Sequence, residues 1–255
     1  MSIYSIYDIK GRKAVVTGAG RGIGKVLAIA LAEAGCDVAL FGLHRENLEE
    51  VAAVIKKLGR KGIAIQGDVS KKDDVKKTFA KVSKEFGRLD ICVNNAGISI
   101  QKPVEEMPEE DWCKIIDINM KGVFLCSQEA AQIMIPQKSG SIINIGSISA
   151  RTVNVPQPQA VYNTSKAGVI MLTQTMAVEW AQHGIRVNAI SPGYMKTEMT
   201  LSVMSHLLPT WEALTPMNRL GAPEELRGAL IFLASDASSY MTGHDLVIDG
   251  GYTIR

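Results

Sequence analysis

Short apolar runs alternate with amphipathic stretches along this chain, and the alternation predicts its architecture. Ala14-Val15-Val16-Thr17 reads as a buried strand, followed by Ile23, Val26, Leu27, Ala30, Leu31 and Ala34 at helical spacing, with Gly35 closing the helix. The same alternation places strands at 38–41, 63–65, 89–93, 141–145, 185–190 and 246–248. Helices fall between them. One is marked by Leu48, Val51, Ile55 and Leu58, another by Val75, Phe79, Val82 and Phe86. A long helix is expected over much of 109–135, stopping at Pro136, and another carries Tyr162 to about Gln182; one more follows Pro223. Strands that are apolar throughout are covered on both faces, and strands separated by helices join through right-handed crossovers. The predicted fold class is α/β: a doubly wound, Rossmann-type parallel sheet of about seven strands with helices on both faces, a single domain over 1–255. Ligands of such sheets bind beyond the carboxyl ends of the strands.

The first strand runs into Thr17-Gly18-Ala19-Gly20-Arg21-Gly22-Ile23-Gly24, which opens the first helix. Gly18, Gly22 and Gly24 allow a tight turn and close backbone approach to a pyrophosphate, and the free N–H groups and dipole of the helix start favour an anion. An NAD site usually carries an acidic residue at the end of strand two. Here that strand ends Phe41-Gly42-Leu43-His44-Arg45. With no carboxylate, and with Arg21 and Arg45 nearby, the pattern points to the 2′-phosphate of NADP(H) in preference to NAD(H).

Composition narrows the field without naming a function. The chain is 46% hydrophobic and 21% charged with a net charge of +2, which gives no electrostatic case for nucleic acid or an anionic membrane. No apolar run approaches a membrane span, and Met1 to Arg12 lack a signal-peptide core. Cys36, Cys92, Cys113 and Cys126 lack CxxC spacing, as expected for reduced thiols in a cytoplasmic protein. His44, His183, His206 and His244 form no metal-binding spacing, so no metal site is expected.

Tyr162 and Lys166 stand four residues apart on an expected helix and share one face. A cation about 5 Å from a phenol, at an effective dielectric of about 20, favours the phenolate by about 3 kcal/mol, or about 2 pKa units. That brings a tyrosine toward general acid–base work. With the glycine turn, this pair resembles the short-chain dehydrogenase/reductase family. The resemblance covers nearly the whole chain. Asn94-Asn95-Ala96-Gly97, Asp68-Val69, Asn119, Ser147, Pro192-Gly193 with Thr197, and Asp249-Gly250-Gly251 match family elements in order.

The resemblance implies a catalytic set of Asn119, Ser147, Tyr162 and Lys166. Ser147 would hold the carbonyl oxygen and Tyr162 exchange the proton. Lys166 would lower the Tyr162 pKa and bind the nicotinamide ribose, and Asn119 would hold a water linking Lys166 to solvent. It implies cofactor contacts from Gly18, Arg21, Gly22, Ile23, Gly24, Arg45, Asp68, Val69, Asn95, Gly97, Pro192, Gly193 and Thr197, besides Tyr162 and Lys166. Ser149 lies nearer the family's usual distance from Tyr162 and is a substrate-side candidate, with Gln159 and Tyr194.

The loop Arg151 to Gln159 has two prolines, and the amides of Asn154, Gln157 and Gln159 suit either a many-hydroxyl ligand or a rigid connection whose amides satisfy backbone groups. Its Pro-Gln-Pro-Gln segment is similar to sorbitol, sorbose and gluconate dehydrogenases of the family. The expected reaction interconverts a secondary alcohol and a ketone, a polyol/ketose pair first. A 3-oxoacyl-thioester reductase and a non-catalytic nucleotide sensor are the alternatives. Segment 195–218, with Met195, Met199, Met204 and Met217, is expected to cover the substrate either as a mobile lid or as docked helices. By resemblance the chain forms a homotetramer or homodimer.

Overall fold

A computed structural model describes residues 2–203 and 205–255. Met204 lies outside the described residues, as does the side chain of Met199. Seven parallel strands form one sheet in the order β3-β2-β1-β4-β5-β6-β7, where β1 is Lys13–Thr17, β2 Asp37–Gly42, β3 Gly62–Gln66, β4 Ile91–Asn94, β5 Gly140–Ile145, β6 Ile185–Pro192 and β7 Asp245–Ile248. The order reverses between β1 and β4, which opens the crevice where the candidate residues gather.

Helices α1 (Gly22–Glu33), α2 (Arg45–Lys57) and α3 (Lys72–Phe86) alternate with the first strands, as the apolar periodicity predicts. The central strands are buried on both faces, with Val15, Val16, Ile91, Val93, Ile142 and Ile143 fully excluded from solvent. One core packs α1, α2 and α9 (Arg227–Ala234) against the sheet, and a second packs α3, α5 (Gly122–Gln137) and α6 (Ala160–Trp180) on the other face.

Two expected helices differ. The helix expected over 109–135 is α4 (Glu109–Ile116), then a π turn over Asp117–Lys121, then α5. It also runs past Pro136 and stops at Lys138, whose φ of 53° is left-handed. A proline in the last turn removes only one ladder hydrogen bond, so the chain tolerates it. The helix expected at Pro223 opens as a 3-10 turn over Pro223–Leu226 before α9 begins. Segment 195–218 holds two short helices, α7 (Glu198–Val203) and α8 (Leu208–Leu214). Trp211 of α8 is fully buried, which is the docked arrangement rather than an exposed flap.

Candidate active site

The glycine turn is fixed from both sides. Gly18 and Gly22 have φ of +63° and +54°, which an L side chain rarely adopts. A Cβ on Gly24 would fall inside contact distance of the Gly18 carbonyl and of Asn95 Nδ2, so this position has room only for glycine. Asn95 Nδ2 donates to the carbonyls of Thr17 (3.0 Å) and Gly18 (3.3 Å). Thr17 Oγ1 in return accepts the N–H groups of Asn95 and Ala96, each at 3.0 Å. The loop after β4 is thereby clamped to the turn after β1. Asn95, expected to touch cofactor, shapes the turn that would do so, and sequence reasoning missed Thr17. Its position directly before the turn was the available signal.

A dinucleotide fits this cradle. A Cβ on Gly22 would meet only the Thr197 methyl, at 3.9 Å, so Gly22 and Thr197 face each other across open space. The N-terminus of α1, with Ile23 in its first turn, opens beside that space. Gly97 keeps space open above Lys166, whose Nζ would lie 3.7 Å from an added Cβ. Pro192 ends β6, and Gly193 is packed against Asp249 so tightly that a side chain would collide with its backbone. Asp68 Oδ1 accepts from the Ser70 N–H and hydroxyl at 2.9 and 2.8 Å, which fixes the carboxylate beside Val69 at the end of β3. Arg21 is exposed at the start of α1. Arg45 is exposed at the start of α2 and pairs with Glu49 at 2.7 Å.

The catalytic candidates meet at the ends of β4, β5 and α6. The π turn buries Asn119, whose side chain is consumed locally. Its Oδ1 accepts the Ile98 N–H at 2.8 Å, and its Nδ2 donates to the Ile98 carbonyl at 2.9 Å and to Ser165 Oγ at 3.0 Å. The side-chain amide thus holds the loop beyond Gly97 against α6. Lys166 Nζ donates to the Ile145 carbonyl at 2.7 Å and lies 5.7 Å from the centroid of the Tyr162 ring. Burial lowers the Lys166 ammonium from 10.5 to about 8. Burial raises the Tyr162 phenol above its ordinary value, and a hydrogen bond with Ser147 opposes that rise. The expected lowering of Tyr162 by Lys166 is therefore corrected. The helical step does bring the two side chains together, but burial of the phenol sets the direction of its shift.

Ser147 and Ser149 are separated by what they touch. Ser147 sits at the Tyr162 phenol, where it opposes the rise that burial causes, and its Oγ accepts the Ser149 N–H at 3.1 Å. The Ser149 hydroxyl donates to Asn154 Oδ1 at 2.6 Å and accepts from Gln159 Nε2 at 3.1 Å. Gln159 Nε2 also reaches Asn154 Oδ1 at 2.9 Å and Asn163 Oδ1 at 3.0 Å. The amides of the 151–159 loop are taken up by the side chains of Ser149, Asn163, Tyr194 and Trp211, with one bond between Gln159 and Asn154, rather than by backbone groups. Tyr194 Oη accepts from Asn154 Nδ2 (3.1 Å) and Gln157 Nε2 (2.7 Å), and its ring stacks on Trp211 with centroids 4.1 Å apart. Tyr252 meets Tyr194 edge-on at 5.3 Å, and its buried hydroxyl has no partner among the described residues. Asp249 accepts the Gly251 and Thr253 N–H groups and so shapes the turn that presents Tyr252.

Among the described residues no group of three or more His, Cys, Asp or Glu side chains could hold a metal, and no helix is long and apolar enough to cross a membrane.

Residues 18–253 match the family described as enoyl-(acyl carrier protein) reductase. The chain is 39% identical to a sorbose reductase of Candida albicans, over 99% of this chain and 90% of that one. It is 41% identical to a galactitol 2-dehydrogenase of Rhizobium johnstonii, over 99% of both. It is also 39% identical to a 3-oxoacyl-acyl-carrier-protein reductase of Thermotoga maritima, over 96% of this chain and 99% of that one. Among solved structures, a short-chain type dehydrogenase/reductase from Mycobacterium marinum superposes with a TM-score of 0.97 at 45% identity, over the whole of both chains. A gluconate 5-dehydrogenase from Burkholderia cenocepacia, solved in complex with NADP and tartrate, gives 0.93 at 35% identity over 98% of both. Sequence, sheet order and these full-length matches agree: the chain belongs to the short-chain dehydrogenase/reductase family of oxidoreductases.

Proposed function

We propose that the protein interconverts a polyol and a ketose, using NADP(H) in preference to NAD(H), with Tyr162 as proton donor and acceptor. The observation that carries this reading is the meeting of Tyr162 with the buried Lys166, whose ammonium lies 5.7 Å from the Tyr162 ring and is held by the Ile145 carbonyl, with Ser147 at the phenol. The bound nicotinamide would supply or accept the hydride at the carbon. The chain's own part is the oxygen and its proton. Ser147 would hold the carbonyl oxygen, and Tyr162 would deliver its proton as charge grows there. Lys166, cationic below about pH 8, would stabilise the phenolate left behind.

Gly18, Gly22, Ile23, Gly24 and the clamp from Asn95 would hold the pyrophosphate. Asp68 and Val69 would flank the adenine, and Gly97, Pro192, Gly193 and Thr197 the nicotinamide end. Arg21 and Arg45 would meet the 2′-phosphate. NADP in the gluconate 5-dehydrogenase complex supports that choice by similarity. The polyol reading is supported by the sorbose and galactitol relatives. It is supported too by Tyr194, whose oxygen accepts two N–H groups and so keeps its own hydrogen to donate.

Reduction of a 3-oxoacyl thioester is the second reading. The Thermotoga relative favours it, as does a cavity of about 310 Å³ beside α6 lined by Val104, Met107, Trp112 and Val161. A nucleotide sensor without turnover is disfavoured because all four catalytic side chains are present. Exposed Phe124 on α5 with Met171 and Val178 on α6 support assembly into a homotetramer through these helices. Four free cysteines, three of them buried, accord with a cytoplasmic setting.

The deciding experiment follows NADPH and NADH absorbance against ketoses, polyols and acetoacetyl thioesters. Turnover of ketoses with NADPH is expected. Turnover of the thioester alone would install the second reading, and cofactor binding without turnover of any carbonyl would install the third.

A further inference from the structure

An unbroken hydrogen-bonded chain joins the covering segment to the serine beside Tyr162. Trp211 of α8 donates its indole N–H to Gln157 Oε1 at 3.1 Å. An indole nitrogen can only donate, so the Gln157 oxygen must face it and the Gln157 nitrogen must face Tyr194. That nitrogen donates to Tyr194 Oη at 2.7 Å, and Asn154 Nδ2 donates to the same oxygen at 3.1 Å. With its nitrogen turned to Tyr194, Asn154 presents its oxygen to Ser149, which donates to it at 2.6 Å. The Ser149 N–H then donates to Ser147 Oγ at 3.1 Å. The donor-only indole thus sets the orientation of Gln157 as far as Tyr194 Oη, the oxygen on which Asn154 also converges. Along this path Trp211 is 1% exposed, Asn154 3%, Gln157 and Ser149 6% each, and Tyr194 is half-buried. Water cannot readily replace a lost partner at such sites, so each link depends on the next.

We propose that Gln157 is a positioning residue that latches α8 onto the loop behind Ser147, so that the aim of Ser147 at Tyr162 depends on the indole of Trp211. The proposal rests on the reading of Ser147 and Tyr162 given above. Gln157 is not held by Ser147 or Tyr162 and acts through Asn154 and Tyr194. A purely structural glutamine would matter only to its own loop. A latch transmits changes from α8 to the catalytic serine.

Trp211→Phe tests this, because it keeps a ring to stack on Tyr194 and removes the donor. Hydrogen–deuterium exchange needs no substrate. In the latch, Trp211→Phe and Gln157→Leu each accelerate exchange over both 207–214 and 147–155, by about tenfold, and the double variant adds little more. In the second arm, L-sorbose is reduced with NADPH as probe. Each variant is expected to lose about 10- to 100-fold in kcat, with NADPH affinity within about twofold of wild type. Faster exchange confined to 207–214 in Trp211→Phe overturns the latch, as do additive effects in the double variant. A wild type that reduces no ketose overturns the substrate reading alone, since the exchange arm still judges the latch.

Discussion

Lys166 donates its ammonium to the Ile145 carbonyl, 2.7 Å away at the end of β5, while its charge lies over the face of Tyr162. The sheet and α6 are thereby joined through a cation that burial destabilises. The ordinary lysine value of 10.5 falls to about 8 in the folded chain. Below pH 8 both folded and unfolded chains hold this proton, and the penalty for burying the charge is complete. Between about 8 and 10.5 the unfolded chain keeps a proton the folded chain has released, so stability climbs with pH. Against a Lys166→Met variant, which removes the titration, the wild type should gain roughly 3 kcal/mol across that window. Urea unfolding at a series of pH values measures the difference, and a gap independent of pH would contradict it.

Tyr162→Phe removes the hydroxyl that Ser147 meets and keeps the ring. Turnover should fall by at least about 10³-fold, with cofactor affinity unchanged. Steady-state rates and fluorescence titration with NADPH read the two separately. Near-wild-type turnover would remove Tyr162 from the proton path.

The two serines should differ in degree. Ser147→Ala deletes the hydroxyl beside Tyr162 and is expected to cost about 10²- to 10³-fold in kcat. Ser149→Ala keeps the backbone N–H to Ser147 and removes the hydroxyl that donates to Asn154 and accepts from Gln159, so a loss of about tenfold is expected. The opposite ranking would move the carbonyl-binding role to Ser149.

Gly24→Ala places a methyl against the Gly18 carbonyl and the Asn95 amide, neither of which can move without opening the clamp. A loss of about 1–3 kcal/mol in unfolding free energy is expected, together with weaker binding of both NADH and NADPH. Calorimetry beside fluorescence titration checks both, and unchanged binding would show that the turn is not the pyrophosphate cradle.

Arg45→Ala bears on the choice of nicotinamide. If Arg45 leaves Glu49 for a 2′-phosphate, the variant should raise KM for NADPH about tenfold and leave KM for NADH alone. Equal effects on the two would assign Arg45 to the surface.

The strands were legible because each is a short, uninterrupted apolar run, such as Val15-Val16 or Ile142-Ile143, that only a sheet covered on both faces can bury. Their helices were legible from 3.6-residue spacing. Where the sequence reading went astray, the cause lay in contacts between distant residues. The π turn at Asn119 has no signature in periodicity, since it exists to deliver an amide to Ile98 and Ser165. The 151–159 amides were visible as polar groups, but their partners include Tyr194 and Trp211, tens of residues away. The pairing of Tyr162 with Lys166 was read correctly as proximity and incorrectly as a lowered phenol pKa, because burial cannot be seen in a four-residue spacing.

The clamp between Thr17 and Asn95 spans 78 residues of chain. An N-terminal fragment ending before β4 would contain every glycine of the turn and three of the sheet's strands, yet nothing to hold that turn in shape. Affinity for the dinucleotide should therefore emerge late in folding, after β1 has closed on β4. On this topology a nascent chain cannot recruit its cofactor as an early folding aid, and the cofactor can stabilise only what has already been assembled.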